Sequence, residues 1–120
     1  RAVPMTGDYL TDDIGSGYDL VLAIATLSFV EQEMAGLMKK LYKAMNPGGV
    51  LLCYSEGIER DGSGPWDMML GWLPYNMQGY NLGVKKNEIT EAAMAAGFRS
   101  AEKRTGIYST GNVDVDIFRK

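Results

Sequence analysis

The chain has 120 residues, of which 46% are hydrophobic and 22% charged, with 12 basic against 15 acidic side chains and a formal net charge of -3. That is the length and composition of one globular domain, which excludes two separate cores and a disordered chain. There is no histidine and one cysteine, which removes the commonest general base and leaves no ligand set for zinc, so no metal is expected.

In chain order, Arg1–Met5 is short and partly apolar and reads as the possible end of a strand. Arg1 is no translation start, so the chain reads as a cut piece or a processed product, and no signal peptide is visible. Thr6–Gly17 is polar, rich in Gly and Asp, and is expected to be a loop. The run Leu20–Ala25 is apolar without alternation, the pattern of a parallel strand covered on both faces. At about 11 residues, the apolar stretch Leu20–Val30 is too short for a membrane span, which needs roughly 18–20.

Glu31–Met45 is an expected helix. Met34, Leu37, Met38, Leu41, Tyr42 and Met45 recur on one face, and Lys39 and Lys43 lie on the other. Pro47 ends it, and Gly48-Gly49 turns the chain into a second buried strand, Val50–Tyr54. Cys53 sits inside that apolar run, where a small buried hydrophobe is expected rather than a nucleophile.

Ile58–Gly83 is the least regular part and holds both tryptophans and a cluster of methionines. Pro65–Leu73 is expected as a short helix closed by Pro74. Asn87 is the expected N-cap of a helix running to Ala96, with Gly97 as its C-terminal stop. Phe98–Thr105 and Val113–Arg119 read as an antiparallel hairpin with Gly111-Asn112 in the turn.

Strands thus alternate with amphipathic helices, an α/β layer pattern. The order and several strings resemble the class I methyltransferases that use S-adenosylmethionine, most closely the small-molecule O-methyltransferase type. The carrying strings are Gly7-Asp8-Tyr9, Tyr18–Leu22, Leu41–Leu52 with its Asn46-Pro47-Gly48-Gly49 turn, Asp67–Leu70, Ala95–Phe98 and Val113–Lys120. The resemblance implies a partial Rossmann-like fold over residues 1–120, from the third to the seventh strand of a seven-stranded sheet, with the last two strands as an antiparallel hairpin. It implies the C-terminal part of a catalytic domain without its glycine-rich cofactor loop. No glycine cluster here leaves a strand and opens a helix.

By the same resemblance, Asp8 and Tyr9 match the position that contacts the adenine of S-adenosylmethionine, and Ile24 and Ala25 line the cofactor site. A solvated turn acid, a loop aromatic and plain core packing are the alternatives. Ser28 falls where many plant-type enzymes carry a catalytic histidine, and the expected partner acid aligns with Val84, so that base pair is missing. Ser28 starting the next helix is the plainer reading. Glu56, just past a strand end, is the remaining acid that could orient an acceptor, or it is simply solvated. Trp66, Met68, Met69, Trp72, Tyr75 and Met77 crowd the irregular segment and suit an apolar or aromatic acceptor, Trp66, Met69 and Trp72 foremost, or else core or subunit packing. Asp12-Asp13 is a poor metal site and reads as a solvated loop.

The leading expectation is methyl transfer to a small-molecule acceptor as part of a larger enzyme, with the chain alone inactive or nearly so. A non-catalytic half-domain that dimerises or completes a partner's sheet is the second, because an open apolar sheet edge invites pairing. A nucleotide-binding oxidoreductase piece is the third. Basic residues are scattered, with pairs such as Lys39-Lys40 and Lys85-Lys86 and no basic stripe interleaved with aromatics, so no nucleic-acid partner is expected, nor a membrane. The expected setting is cytoplasmic, given a single cysteine, and the expected assembly is a homo-oligomer through the sheet edge.

Overall fold

The computed structural model describes the chain except residues 1–2, 31, 56–57, 81 and 109–110, and the side chains of 55, 107–108 and 111–112. Four strands form one sheet: β1 (Tyr18–Ile24), β2 (Met45–Ser55), β3 (Ser100–Tyr108) and β4 (Gly111–Arg119). Their spatial order is β1-β2-β4-β3. β1 runs parallel to β2, while β4 is inserted antiparallel between β2 and β3. Three helices complete the chain: α1 (Met34–Ala44), α2 (Trp66–Met77) and α3 (Glu88–Ala96), with a 3-10 turn at Leu27–Phe29.

The helical spacing of α1 puts Met34, Leu37, Met38 and Leu41 on one buried face. That face meets Leu51, Cys53 and Phe118 of the sheet and Ile89 and Ala93 of α3 in the main core. Each such side chain, fully buried, stabilises the fold by about 1.5–3 kcal/mol. Asp116 enters the same layer opposite Cys53. It is only 2% exposed, and its charge is met by the Lys103 ammonium at 3.4 Å, as a buried carboxylate requires.

The Asn-Pro-Gly-Gly turn has a steric cause. Gly48 adopts φ +81°. A Cβ on Gly49 would stand 2.9 Å from the Asn46 carbonyl oxygen and 3.0 Å from that of Tyr18. Only glycine lets β2 approach β1 there. The end of α1 is closed by Lys120, whose ammonium donates to the carbonyls of Tyr42 and Met45, both at 2.7 Å.

Several expectations change. Val3–Met5 forms no strand and is exposed; with Arg1 and Ala2 outside the description, the sheet has four described strands and no third-strand remnant. Glu31 also lies outside the described residues, and α1 begins at Met34. Pro74 does not close α2, which continues to Met77 with the proline inside it; the exposed ring forfeits one backbone bond, which a solvated helix surface tolerates. Asn87 precedes α3, but its side chain caps nothing there. Its φ is +73°, and its amide oxygen accepts from Lys103 at 3.1 Å. Glu88 instead accepts from the Lys85 N–H at 2.8 Å. Gly97 does take the left-handed stop, φ +114°. Gly111 and Asn112 are not the hairpin turn: they pair with Tyr108 and Ile107, so the connection falls at 109–110, outside the described residues.

The largest departure concerns β1. Val21 and Ala23 face the helices, but Leu20, Leu22 and Ile24 are 56%, 58% and 51% exposed. Register continues this face through Val50, Leu52 and Tyr54 of β2 to Ile117 and Val115 of β4. Both α1 and α3 lie on the opposite side. On the side away from α1 and α3 the sheet therefore presents an apolar face, exposed at β1 and half-buried along Val50, Leu52, Tyr54, Val115 and Ile117, and the β1 edge has no strand beside it among the described residues. No helix among them is long and apolar enough to cross a membrane.

Candidate functional site

In an open α/β sheet, ligands bind beyond the carboxyl ends of the parallel strands. Here those ends are Ile24 and Ser55. Ala25 follows β1 with φ +52°, a conformation costly for a residue with a Cβ, and its N–H donates to the Tyr54 carbonyl at 3.3 Å. This bend sends the chain across the strand ends into the Leu27–Phe29 turn.

A cleft of about 220 Å³ opens there, lined by Ala25, Ser28, Phe29, Trp72, Tyr75 and Leu82. Trp72 is held from behind by Ile58, Leu82, Met68 and Met69 in a second small core. An isolated bridge, Ile58 to Lys85, ties that core to the segment before α3. Ser28 is nearly buried at 8% exposure. The described lining holds no carboxylate, lysine or histidine, so nothing described there activates the Ser28 hydroxyl as a base. What the cleft offers is largely flat and apolar surface with two hydroxyl-bearing residues, Ser28 and Tyr75.

Beside β1, residues 5–14 form a second hollow of about 210 Å³, lined by Met5 to Tyr9, Asp12, Asp13 and Ile14. Tyr9 is shared with a third groove, about 240 Å³, that runs over Val21, Leu22, Ala23, Thr26 and Leu27 at the free edge. Asp8 shapes the turn: its Oδ1 accepts from the Leu10 N–H at 2.8 Å, and its carbonyl accepts from Thr11 and Asp12. Its Oδ2 has no partner among the described residues and stays available as an acceptor.

Of the residues expected from sequence, Ala25, Ser28 and Trp72 share the first cleft, and Asp8 and Tyr9 share the second hollow. Ile24 projects from the bare face next to Tyr54. Trp66 begins α2, 68% exposed and outside the cleft, while Met69 packs behind Trp72. Glu56 lies outside the described residues. Val84 is buried core, 1% exposed. Tyr75, expected with Trp72 from the aromatic-rich segment, lines the same cleft, and sequence reading missed Phe29 and Leu82. Phe29 adjoins Ser28, which could have flagged it, and Tyr75 stands three residues after Trp72 on the same helix face. Cys53, in the main core, is no nucleophile: burial first, then the Asp116 charge, pushes its thiol up to about 12.

No family model matches the chain. Among curated proteins it is similar to the acetylserotonin O-methyltransferase of Gallus gallus, with 30% identity over 101 residues, 83% of this chain and 29% of that protein. Among solved structures, human N-acetylserotonin methyltransferase in complex with SAM superposes with a TM-score of 0.75 at 21% identity, covering 97% of this chain and 33% of that one. The chain has the fold of part of these methyltransferases. An O-methyltransferase family protein of Burkholderia thailandensis agrees, with a TM-score of 0.73 at 20% identity over 92% of this chain and 33% of its own. The chain thus spans under a third of the length of the curated relative. Within the methyltransferase fold, the inserted antiparallel β4 is the expected final strand.

Proposed function

We propose that this chain is the latter part of a methyltransferase catalytic domain, taking S-adenosylmethionine on residues at the β1 edge and a small apolar or aromatic acceptor in the cleft under α2. The observation that carries this reading is the cleft itself: Ala25 and Ser28, at the end of a parallel strand, meet Trp72 and Tyr75 of α2. The likeness to methyltransferases supports it.

The residues present fit one wall of such a cofactor site. The spare Asp8 oxygen can accept from an exocyclic amine. The Tyr9 ring, 42% exposed, can cover a purine face. Ala25 is small enough to let a bulky group approach the strand end. When bound, S-adenosylmethionine supplies a methyl group activated by a positive sulfonium. This chain's own part is alignment and exclusion of water. Phe29, Trp72, Tyr75 and Leu82 would hold a flat acceptor, and Ser28 would donate to or accept from its polar edge. Without a described base in the lining, an acceptor whose attacking atom is already nucleophilic suits the cleft best.

The exposed apolar side of β1, with Leu20, Leu22 and Ile24 each more than half exposed, and its free edge imply that further polypeptide covers them, since clustered apolar surface of this kind is seldom left in water. The remaining cofactor contacts would come from that polypeptide, and the chain by itself would be inactive. The test is turnover of S-adenosylmethionine by the gene's full reading frame with a panel of phenolic acceptors, followed as S-adenosylhomocysteine. Trp72→Ala should raise the KM for the acceptor at least about tenfold with little change in cofactor affinity. Full activity in Trp72→Ala would refute the acceptor assignment.

The free β1 edge also favours a second reading, a non-catalytic module that pairs with another copy or another sheet. Light scattering separates the two. A stable monomer at high concentration counts against the module.

A further inference from the structure

Lys40 stands apart from the other lysines of α1. Lys39 and Lys43 are exposed, whereas Lys40 is half-buried and turned toward the loop before β1. Its ammonium donates to the carbonyl of Tyr9 at 3.0 Å and of Leu10 at 3.2 Å, and to that of Asp12. An ammonium has three donors, and all three are used on one turn of backbone. The other hydrogen bonds of residues 8–12, among the described residues, close within the turn: Thr11 and Asp12 N–H to the Asp8 carbonyl, Leu10 N–H to the Asp8 carboxylate, and Asp8 N–H to the Asp12 carboxylate. Lys40 is thus the described polar tie between this turn and the rest of the fold. Leu10 adds an apolar anchor against the main core, but a leucine contact restrains depth more than orientation. The carbonyls that Lys40 grips are that of Tyr9 itself and two that follow it, and the Tyr9 ring is shared by the two grooves beside β1.

We infer that Lys40 is a positioning residue that sets the orientation of the Asp8-Tyr9 turn and so tunes how firmly the adenosyl side of the cofactor is held. This rests on the functional reading above. The guanidinium of Lys40→Arg keeps several donors on a comparable reach, whereas Lys40→Met keeps the stem and removes every donor.

The experiment compares wild type, Lys40→Met and Lys40→Arg in the gene's full reading frame. It reads amide hydrogen exchange at residues 8–12, S-adenosylhomocysteine affinity by calorimetry, and acceptor KM. Lys40→Met should speed exchange at Leu10, Thr11 and Asp12 while leaving the α1 amides protected. It should weaken S-adenosylhomocysteine binding about tenfold, with acceptor KM unchanged. Lys40→Arg should restore both exchange and affinity. A turn that loosens in Lys40→Met with unchanged affinity would overturn the inference while leaving the methyltransferase reading intact. So would an affinity loss that Lys40→Arg does not rescue. A wild-type protein that takes up no S-adenosylhomocysteine would overturn the functional reading, and this inference with it, whatever Lys40 does to the turn.

Discussion

If the sheet face bearing Leu22 is completed by polypeptide outside this chain, Leu22 and Leu51 should respond oppositely to context. Both are leucine-type core positions by sequence, one residue out of phase across paired strands. Leu51 is fully buried against α1, at 0% exposure, whereas Leu22 is 58% exposed. Truncating a buried leucine to alanine removes its transfer energy and leaves a cavity, together about 2–5 kcal/mol. Leu22 hides only some two fifths of its surface, and water fills the space left by truncation. Scaling the roughly 1.5–3 kcal/mol of full burial accordingly gives about 1 kcal/mol for Leu22→Ala. In the full reading frame the face would be covered, and Leu22→Ala should then cost about as much as Leu51→Ala. The assay is urea denaturation of the two variants in both contexts, with free energies from midpoint and slope. The reasoning is refuted if Leu22→Ala costs the chain alone as much as Leu51→Ala, or if the longer protein tolerates it without loss.

Three further outcomes are expected of the fold. Cys53 should resist alkylation at pH 8 in the folded chain and react at once in urea. Burial, then the Asp116 charge, pushes its thiol up from an ordinary 9.0 to about 12 in the fold. The folded state then holds the proton more tightly, so this contribution to stability is intact below pH 9 and fades as pH climbs from 9 toward 12. A denaturation midpoint that rises over that range would contradict it. Thr90 carries a buried hydroxyl with no partner among the described residues, so isosteric Thr90→Val should leave stability unchanged or raise it by up to about 1 kcal/mol in thermal melts; a loss would show a missed hydrogen bond. Gly49→Ala forces a Cβ against two backbone carbonyls and should destabilise by about 1–3 kcal/mol, whereas an unchanged melting temperature would show that β1 and β2 can part there freely.

The sequence made some elements legible and hid others for identifiable reasons. The apolar spacing of α1 fixes its buried face because helical periodicity survives without tertiary context. Leu20–Ala25, in contrast, reads as covered on both faces, and α1 lies on only one of them. The second layer is written in the residues but not supplied by the described chain. Pro74 misled because a proline usually stops a helix, and only the exposed surroundings of α2 show why this one does not. Gly111-Asn112 looked like a turn by composition, yet strand register moved the connection two residues back. In the site, Asp8, Tyr9, Ala25, Ser28 and Trp72 could be singled out by residue type and resemblance. Tyr75 belonged to the same aromatic-rich string as Trp72, whereas Phe29 and Leu82 stayed hidden, because the cleft joins segments more than forty residues apart. Lys40 was hidden most fully. In the string Lys39-Lys40 it looks like half of a solvated pair, and only the path of the loop before β1 brings three carbonyls to its ammonium.

The claim that most needs testing is that one wall of the cofactor site is here and the rest is elsewhere in the polypeptide. The direct measurement is calorimetric titration of S-adenosylhomocysteine into this chain alone and into the full reading frame. The account predicts no saturable binding to the chain alone and one-to-one binding to the longer protein. Tight one-to-one binding by the isolated chain, or none by either, would contradict it.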